Sequence, residues 1–288
     1  MLTPQGLREQ LSSCLGAPAW WLGLSGGLDS MVLLELLAQA RQSSDIPPLY
    51  AVHIHHGLHP EADAWAMHCQ RACDARGVPL TVVRVRVGQS PSIEQAARDA
   101  RYAAFAEALP EGAELLLAHH ADDQLETMLF RMLRGTGIQG LAGMPARRPL
   151  GRGWLSRPLL DASRAELADF AVRQGLNWIE DPANRDARFA RTALRHALLP
   201  ALRDSWPQVD QSLRRLAEHA DEACELLDDL AASDLQSAVL PLDDAWLGHW
   251  PSLLLAPGLV LSPARQRNLL RFWLRQQGVL MPDQRHLD

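Results

Sequence analysis

Apolar and polar positions follow two rhythms along the first half of this chain. Short apolar runs of strand character occur at residues 20–24, 49–54, 80–85 and 115–118, the third enriched in β-branched residues. Between them lie stretches with apolar residues at helical spacing: 31–37, 62–76 closed by Gly77, 92 to about 108, and 122 to about 133. Ser92-Ile93-Glu94-Gln95 predicts a capping box at the start of the third helix. Strands alternating with helices predict a parallel sheet with helices on both faces. Ligands in such sheets bind beyond the carboxyl ends of the strands.

The rhythm changes after residue 134. Residues 135–153, rich in Gly, Pro and Arg, read as a loop. Ser163-Arg164-Ala165-Glu166 predicts another capping box, with its helix stopping at Gly175. From Trp206 the pattern is helical and acidic, with Leu213, Leu216, Ala217, Ala220, Ala223, Cys224 and Leu227 on one face. A boundary near Ser205-Trp206-Pro207 divides the chain into residues 1–205 and a smaller, mainly helical 206–288. The fold class expected is α/β, a parallel-sheet domain followed by a helical one.

Composition adds limits. At 288 residues and 47 % hydrophobic content, the chain fits two domains with a sizeable core. It lacks an apolar run long enough to span a bilayer, and Met1-Leu2-Thr3-Pro4 opens no signal peptide, so a cytoplasmic protein without membrane contact is expected. Cys14, Cys69, Cys73 and Cys224 are scattered, which reads as reduced thiols. The net charge of −6 is unevenly spread. Residues 131–203 carry 13 Arg against 6 acids, whereas 1–130 carry 8 against 15 and 204–288 carry 7 against 13. A basic middle between acidic flanks suits a localised polyanion contact, although arginine as ordinary surface charge gives the same count.

The chemistry concentrates in three places. Ser25-Gly26-Gly27-Leu28-Asp29-Ser30 lies between a strand and a helix. Its glycines let the backbone approach an anion, the helix start adds unpaired N–H groups, and the two serines add hydroxyls. Asp29 would repel phosphate unless a Mg²⁺ ion is shared between them. The lysine-bearing G-x-x-x-x-G-K-S/T loop is excluded, because all 28 basic residues are arginines. Next, His119-His120-Ala121-Asp122-Asp123-Gln124-Leu125-Glu126-Thr127 follows a strand and opens a helix, with Asp123 and Glu126 on one face. Such acids serve the helix dipole, or orient an amine, take its proton or hold metal. Finally, Arg185, Arg188, Arg191 and Arg195 recur at helical spacing as a basic stripe suited to backbone phosphates. Glu94, Arg98 and Arg101 share a helix face, read as a solvated ladder. Cys69 and Cys73, also on one face, read as core cysteines rather than zinc ligands.

The loop at Ser25 resembles the SGGxDS loop of the PP-loop ATP pyrophosphatases, and a longer set of segments resembles the tRNA(Ile)-lysidine synthetases. That set comprises the loop, His53-Ile54-His55-His56-Gly57-Leu58, residues 94–102, the His119 block, residues 131–137, Leu141-Ala142-Gly143-Met144, Arg157-Pro158-Leu159-Leu160 and residues 178–184. The resemblance implies an adenine-nucleotide α-hydrolase-like fold and a two-step ligation. ATP adenylates the C2 oxygen of the cytidine at the first anticodon position of tRNA(Ile) with a CAU anticodon, and free L-lysine then displaces AMP. It further implies that Ser25, Gly26, Gly27, Leu28, Asp29 and Ser30 hold ATP, with Asp29 on Mg²⁺. Asp123 and Glu126 would face lysine and the cytidine, Arg101 would steady developing charge, and Arg188, Arg191 and Arg195 would meet tRNA. A homodimer is left open.

Two departures stand out. Arg191-Thr192 replaces the family's Arg-Asn. Family members also continue into a C-terminal tRNA-binding domain, so a chain stopping at Gln284-Arg285-His286-Leu287-Asp288 is expected to lack it and to carry an incomplete 206–288 part. A tRNA thiolase is the nearest rival, although the cysteine spacing is wrong for one. A fragment that binds ATP or tRNA without turnover is the non-enzyme alternative.

Overall fold

The computed structural model describes residues 2–43, 45–88, 93–181, 190–238, 252–253 and 260–279, and the side chains of Glu94, Ala190, Arg191, Ser237 and Ala238 fall outside it. Two compact units emerge: residues 1–130 with 143–210, and residues 131–142 with 211–288.

The first unit is built on one six-stranded sheet: β1 (Trp20–Gly23), β2 (Leu49–His55), β3 (Leu80–Arg84), β4 (Glu114–Leu116), β5 (Arg147–Leu150) and β6 (Gly153–Ser156). Their order is β3-β2-β1-β4-β6-β5, and every neighbouring pair is parallel except β5 with β6. The helices α1 (Pro4–Gln10), α2 (Leu28–Ser43), α3 (Ala62–Asp74), α4 (Ile93–Ala108) and α5 (Ala121–Leu133) follow the expected alternation. The capping box expected at Ser92 lies outside the described residues.

Strand alternation explains how both faces are buried. Trp20, Leu22, Leu49, Ala51 and Leu116 pack with α2 and with Cys69 and Cys73 of α3 in one core. Val52, Ile54, Leu115 and Leu117, displaced to the opposite face, pack with Phe105 and Leu109 of α4 in the other. Because apolar cover comes from both sides, central strands read as continuous apolar runs. The chain winds β1, β2, β3 to one side and then crosses to place β4 on the other side of β1. The ends of β1 and β4 therefore flank a topological switch point, where such sheets bind ligands.

The loop expected at 135–153 is corrected by the structure. It holds the short α6 (Ile138–Leu141), all of β5 and the start of β6. Arginine and proline disguise β5 in the sequence. Pro149 is tolerated because β5 is an edge strand. Arg147 is held by a bidentate ion pair with Glu114, whose side chain is fully buried in β4. Gly153 permits close approach, since a Cβ there would stand 2.3 Å from the Ala113 carbonyl oxygen.

After β6 the chain forms α7 (Arg164–Arg173), whose capping box is complete: Ser163 Oγ accepts the Glu166 N–H, and Glu166 accepts the Ser163 N–H. Gly175 ends it at φ +61°. The run α8 (Ala190–Ala193), a π-helical turn Leu194–Leu198, and α9 (Leu199–Ser205) completes the unit. Pro200 has no N–H to offer the preceding turn, which accounts for the widened register there.

The second unit contains most of α10 (Val209–Ala238) and α11 (Pro263–Gln276). Buried Asp234 pairs with Arg265, Asp228 pairs with Arg275, and Asn268 donates to the Leu227 carbonyl, so α11 is tied along α10. No helix among the described residues is long and apolar enough to cross a membrane.

Candidate active site

Glycine geometry shapes the loop after β1. Gly26 has φ +86°, and a Cβ there would meet Ile179 Cδ1 at 2.9 Å and Cys69 Sγ at 3.1 Å. Its carbonyl accepts the Ile179 N–H at 2.9 Å, so the distant 178–181 segment closes over the loop. Below, His53 bonds through Nδ1 to the Leu24 carbonyl at 2.8 Å and bridges to Cys69 Sγ at 3.5 Å. Inside the loop the serines hold the two glycine amides. Gly26 N–H donates to Ser30 Oγ, Gly27 N–H donates to Ser25 Oγ, and the hydroxyls meet at 3.0 Å. Ser30 O–H donates to the Gly27 carbonyl, which leaves Ser25 as donor between the two hydroxyls. Leu28 and Asp29 open α2, so its first-turn N–H groups face outward beside these hydroxyls.

The loop after β4 stands beside it at the switch point. His120 is 1 % exposed, and its ring nitrogens have no hydrogen-bond partner. Nε2 lies 3.7 Å from Asp29 Oδ2 and 3.5 Å from Asp123 Oδ2, and Nδ1 lies 3.8 Å from Asp122 Oδ2. One buried imidazole is thus surrounded by three carboxylates from two loops. Asp123 also caps α5 by accepting the His120 N–H at 3.1 Å. Asp122 accepts the Arg164 N–H at 2.9 Å and an Arg203 N–H at 2.7 Å. Burial opposes its ionisation, but those donors outweigh it and hold the carboxyl below its ordinary range.

Burial dominates at the other acids. Asp29 is pushed up by burial and by Asp123, against the attraction of His120, Arg164 and Arg195, and its Oδ1 has no hydrogen-bond partner. Glu126, 3 % exposed, is also pushed up by burial, while Arg195 pulls it down. Arg195 reaches Glu126 through Nε at 2.5 Å and Nη2 at 2.9 Å, and Asp123 through Nη2 at 3.2 Å. The expected basic stripe is thus described only in part. Arg195 turns inward onto the paired acids from the π-helical turn, whereas Arg185 and Arg188 lie outside the described residues.

The acid of the expected ladder, Glu94, has its side chain outside the described residues. Both Arg98 and Arg101 lie over the Tyr102 ring, at 5.2 and 5.8 Å. Cys69 and Cys73 are fully buried, with thiols pushed by burial up to about 12 and about 11. Among the described residues, no group of three or more His, Cys, Asp or Glu side chains is arranged so that it could by itself hold a metal ion. Gly135, Gly137 and Gly140 spell G-x-G-x-x-G, but they follow a helix rather than a strand and so lack the context of a dinucleotide fingerprint.

Sequence reading missed His120 as the centre of the acid group, and Arg203 and Arg164 as the groups that hold Asp122. The doubled His119-His120 beside doubled Asp122-Asp123 was the available signal. For Arg203 and for the Ile179 contact there was none, because both depend on packing of segments remote in sequence.

A PP-loop domain model matches residues 5–202, and a TilS substrate binding domain model matches residues 253–288. The chain is 54 % identical over 276 residues to the tRNA(Ile)-lysidine synthase of Pseudomonas putida, covering 96 % of this chain and 64 % of that protein. Against the same enzyme of Pseudomonas syringae pv. tomato it is 52 % identical over 283 residues, covering 98 % and 63 %. Against that of Coxiella burnetii it is 41 % identical over 290 residues, covering 100 % and 62 %. The chain thus spans less than two thirds of the length of these relatives. Among solved structures, the U34-tRNA thiolase NcsA from Methanococcus maripaludis, with its 4Fe–4S cluster, aligns with TM-score 0.59 at 18 % identity. That alignment covers 75 % of this chain and 77 % of the thiolase, a likeness of fold.

Proposed function

Because the chain belongs to the PP-loop domain family, we propose that it is the catalytic part of a tRNA(Ile)-lysidine synthase, an ATP-dependent ligase joining free L-lysine to the CAU-anticodon cytidine of tRNA(Ile). One observation carries this reading: a phosphate-shaped serine–glycine loop and a set of paired carboxylates meet around His120 at the switch point. The similarity to tRNA(Ile)-lysidine synthases supports the choice of reaction.

In this reading the 25–30 loop binds the phosphates of ATP with its hydroxyls and the first-turn N–H groups of α2. The cytidine O2 attacks the α-phosphorus, and pyrophosphate leaves. The ε-amine of lysine then adds to C2, gives up a proton, and AMP leaves. Asp123 and Glu126 attract the ammonium form, and the raised affinity of Glu126 for a proton fits it to receive the one released. Arg101 steadies charge developing on the nucleotide. An amine approaching these acids competes with Arg195, and a guanidinium released from them becomes available to RNA together with Arg188 and Arg191. The 206–288 part contributes further tRNA contact.

Mg²⁺ fits the donors present. Asp29 Oδ1 is buried without a partner, and Asp29 and Asp123 repel one another. Mg²⁺ takes few protein ligands, often one or two carboxylates plus substrate phosphates, so a ready-made cluster of three is not required. Asp29, with Asp123 beside it, would hold the ion, which supplies charge neutralisation on the phosphates. A thiolase reading is disfavoured because Cys69 and Cys73 are buried and held as thiols.

The test is to incubate the protein with α-labelled ATP, Mg²⁺, lysine and a CAU-anticodon tRNA(Ile) transcript. Lysine-dependent AMP and lysine on the tRNA are expected, with lysine transfer abolished by Asp123→Asn. Absence of AMP both from this chain and from a version extended to the relatives' length would overturn the reading.

A further inference from the structure

The serine–glycine loop carries one charged side chain of its own, the acid Asp29, and the chain has no lysine to set against a triphosphate. The hydroxyls and N–H groups of the loop are neutral donors, so a balancing positive charge comes from outside it. Arg164, the first residue of α7, stands in that place. Its Nη1 lies 4.0 Å from Asp29 Oδ2, too far for a hydrogen bond. Among the described residues, Asp29 is the one acid within ion-pair distance of this guanidinium. The side chain is 49 % exposed, so its donor fork is open to a ligand. Arg195 also attracts Asp29, but Glu126 and Asp123 already take its donors.

Long-range pairing fixes the root of Arg164. Beyond the ends of β4 and β6, His120 and Leu159 form a parallel bridge. Ala121 N–H then donates to the Ala162 carbonyl at 2.8 Å, and Arg164 N–H donates to Asp122 Oδ2 at 2.9 Å. The Ser163–Glu166 capping box sets the direction in which α7 leaves. The backbone of Arg164 is therefore held against the switch point, while its guanidinium keeps no hydrogen bond within the described residues. Binding an anion there costs the freedom of one side chain and no rearrangement of the chain.

We propose that the Arg164 guanidinium binds the pyrophosphate portion of ATP and meets the charge that grows on it as it leaves. This rests on the ligase reading, in which the 25–30 loop cradles that portion, and deepens it with a residue from α7. In the first step the bond from the cytidine O2 to the α-phosphorus forms, and the bond from that phosphorus to the bridging oxygen breaks. The electron pair departs on pyrophosphate, so negative charge increases at the cradle. A planar donor fork spans two phosphate oxygens and stabilises that state more than the ground state. An RNA phosphate fits less well, because the guanidinium faces Asp29 of the cradle itself.

The experiment measures binding of inorganic pyrophosphate by calorimetry, in buffer containing Mg²⁺ and without tRNA or lysine. The protein is compared with Arg164→Gln, Arg164→Lys and Arg173→Gln, the last removing an exposed charge near the far end of α7. Arg164→Gln is expected to weaken pyrophosphate by about 10- to 100-fold, as for loss of a charge-assisted contact. Arg164→Lys keeps the charge without the fork and should fall between, and Arg173→Gln should stay within about twofold. In turnover, inhibition by added pyrophosphate should weaken in Arg164→Gln by the same factor, with KM for lysine unchanged. Arg164→Ala removes the guanidinium a second way if the glutamine variant does not fold. Unchanged pyrophosphate affinity on loss of the guanidinium overturns the proposal, and a lowered urea midpoint beside it would make Arg164 a partner of Asp29 alone. A raised KM for tRNA with unchanged pyrophosphate affinity also overturns it and assigns the guanidinium to RNA. Pyrophosphate that does not bind the unaltered protein overturns the cradle and the arginine together. Arginine-dependent pyrophosphate binding without AMP release from any tRNA supports Arg164 as the anion's partner while overturning the ligase reading, so the two failures are distinct.

Discussion

Gly26 shows how much one residue can fix at this site. At φ +86°, with Ile179 Cδ1 and Cys69 Sγ where a side chain would go, alanine is strained twice over. Gly26→Ala is expected to destabilise the protein by about 1–3 kcal/mol in urea denaturation and to abolish ATP–pyrophosphate exchange. Gly27→Ala meets Ser25 Oγ only at 3.5 Å and should leave the fold nearly unchanged. His119 sets a pH dependence. Burial lowers its pKa from the ordinary 6.5 to about 3. The folded state therefore keeps it neutral, while the unfolded chain takes a proton below pH 6.5. Stability is complete above that value and is lost as pH falls from it towards 3. Between pH 7 and 5 the loss from this group is on the order of 2 kcal/mol. His53, His56 and His68 are shifted in the same direction, so they add to it. Urea midpoints at the two pH values, for the protein and for His119→Asn, measure the share of His119. The variant should show the smaller drop.

At the scale of elements, α5, α7 and α9 are joined through one carboxylate. Asp122 in the first turn of α5 accepts from the Arg164 N–H at the start of α7 and from Arg203 of α9, which also holds Asp210. Removing Arg203 leaves Asp122 half-buried with one of its two donors. Arg203→Ala is accordingly expected to cost about 1–3 kcal/mol and to lower activity through displaced Asp123 rather than lost ATP affinity. Chemical denaturation and a separate KM for ATP distinguish these effects. The capping box of α7 was legible because a Ser and a Glu three residues apart precede an apolar periodicity. The β5–β6 hairpin was not, because its polar and proline residues are satisfied by Glu114 and by the edge position. Periodicity reads what a segment buries by itself, and β5 owes its place to a partner in another strand.

Across the whole chain, charge is segregated: a net-basic stretch at 131–203 lies between acidic ones. If Arg191 meets a backbone phosphate of tRNA, Arg191→Ala should weaken binding at low salt and reduce the slope of log K against log salt by about 1. Binding that keeps its affinity and its slope would remove that assignment.

The sequence by itself determined the alternating architecture, the loop 25–30 and the acid block after β4, because each is local: a period, a glycine pair, a spacing on one helix face. It also placed both chemical segments at strand ends, since strand–loop–helix order is read directly along the chain. Only the tertiary structure decided that the two segments meet around His120, because strand order, and with it the switch point between β1 and β4, is not written in any one segment. It likewise decided that Arg195 faces the acids and that arginines from α4 and β5 share one ring. Charge in a sequence gives a sum, whereas the partner of each charge is chosen by the packing of residues far apart along the chain.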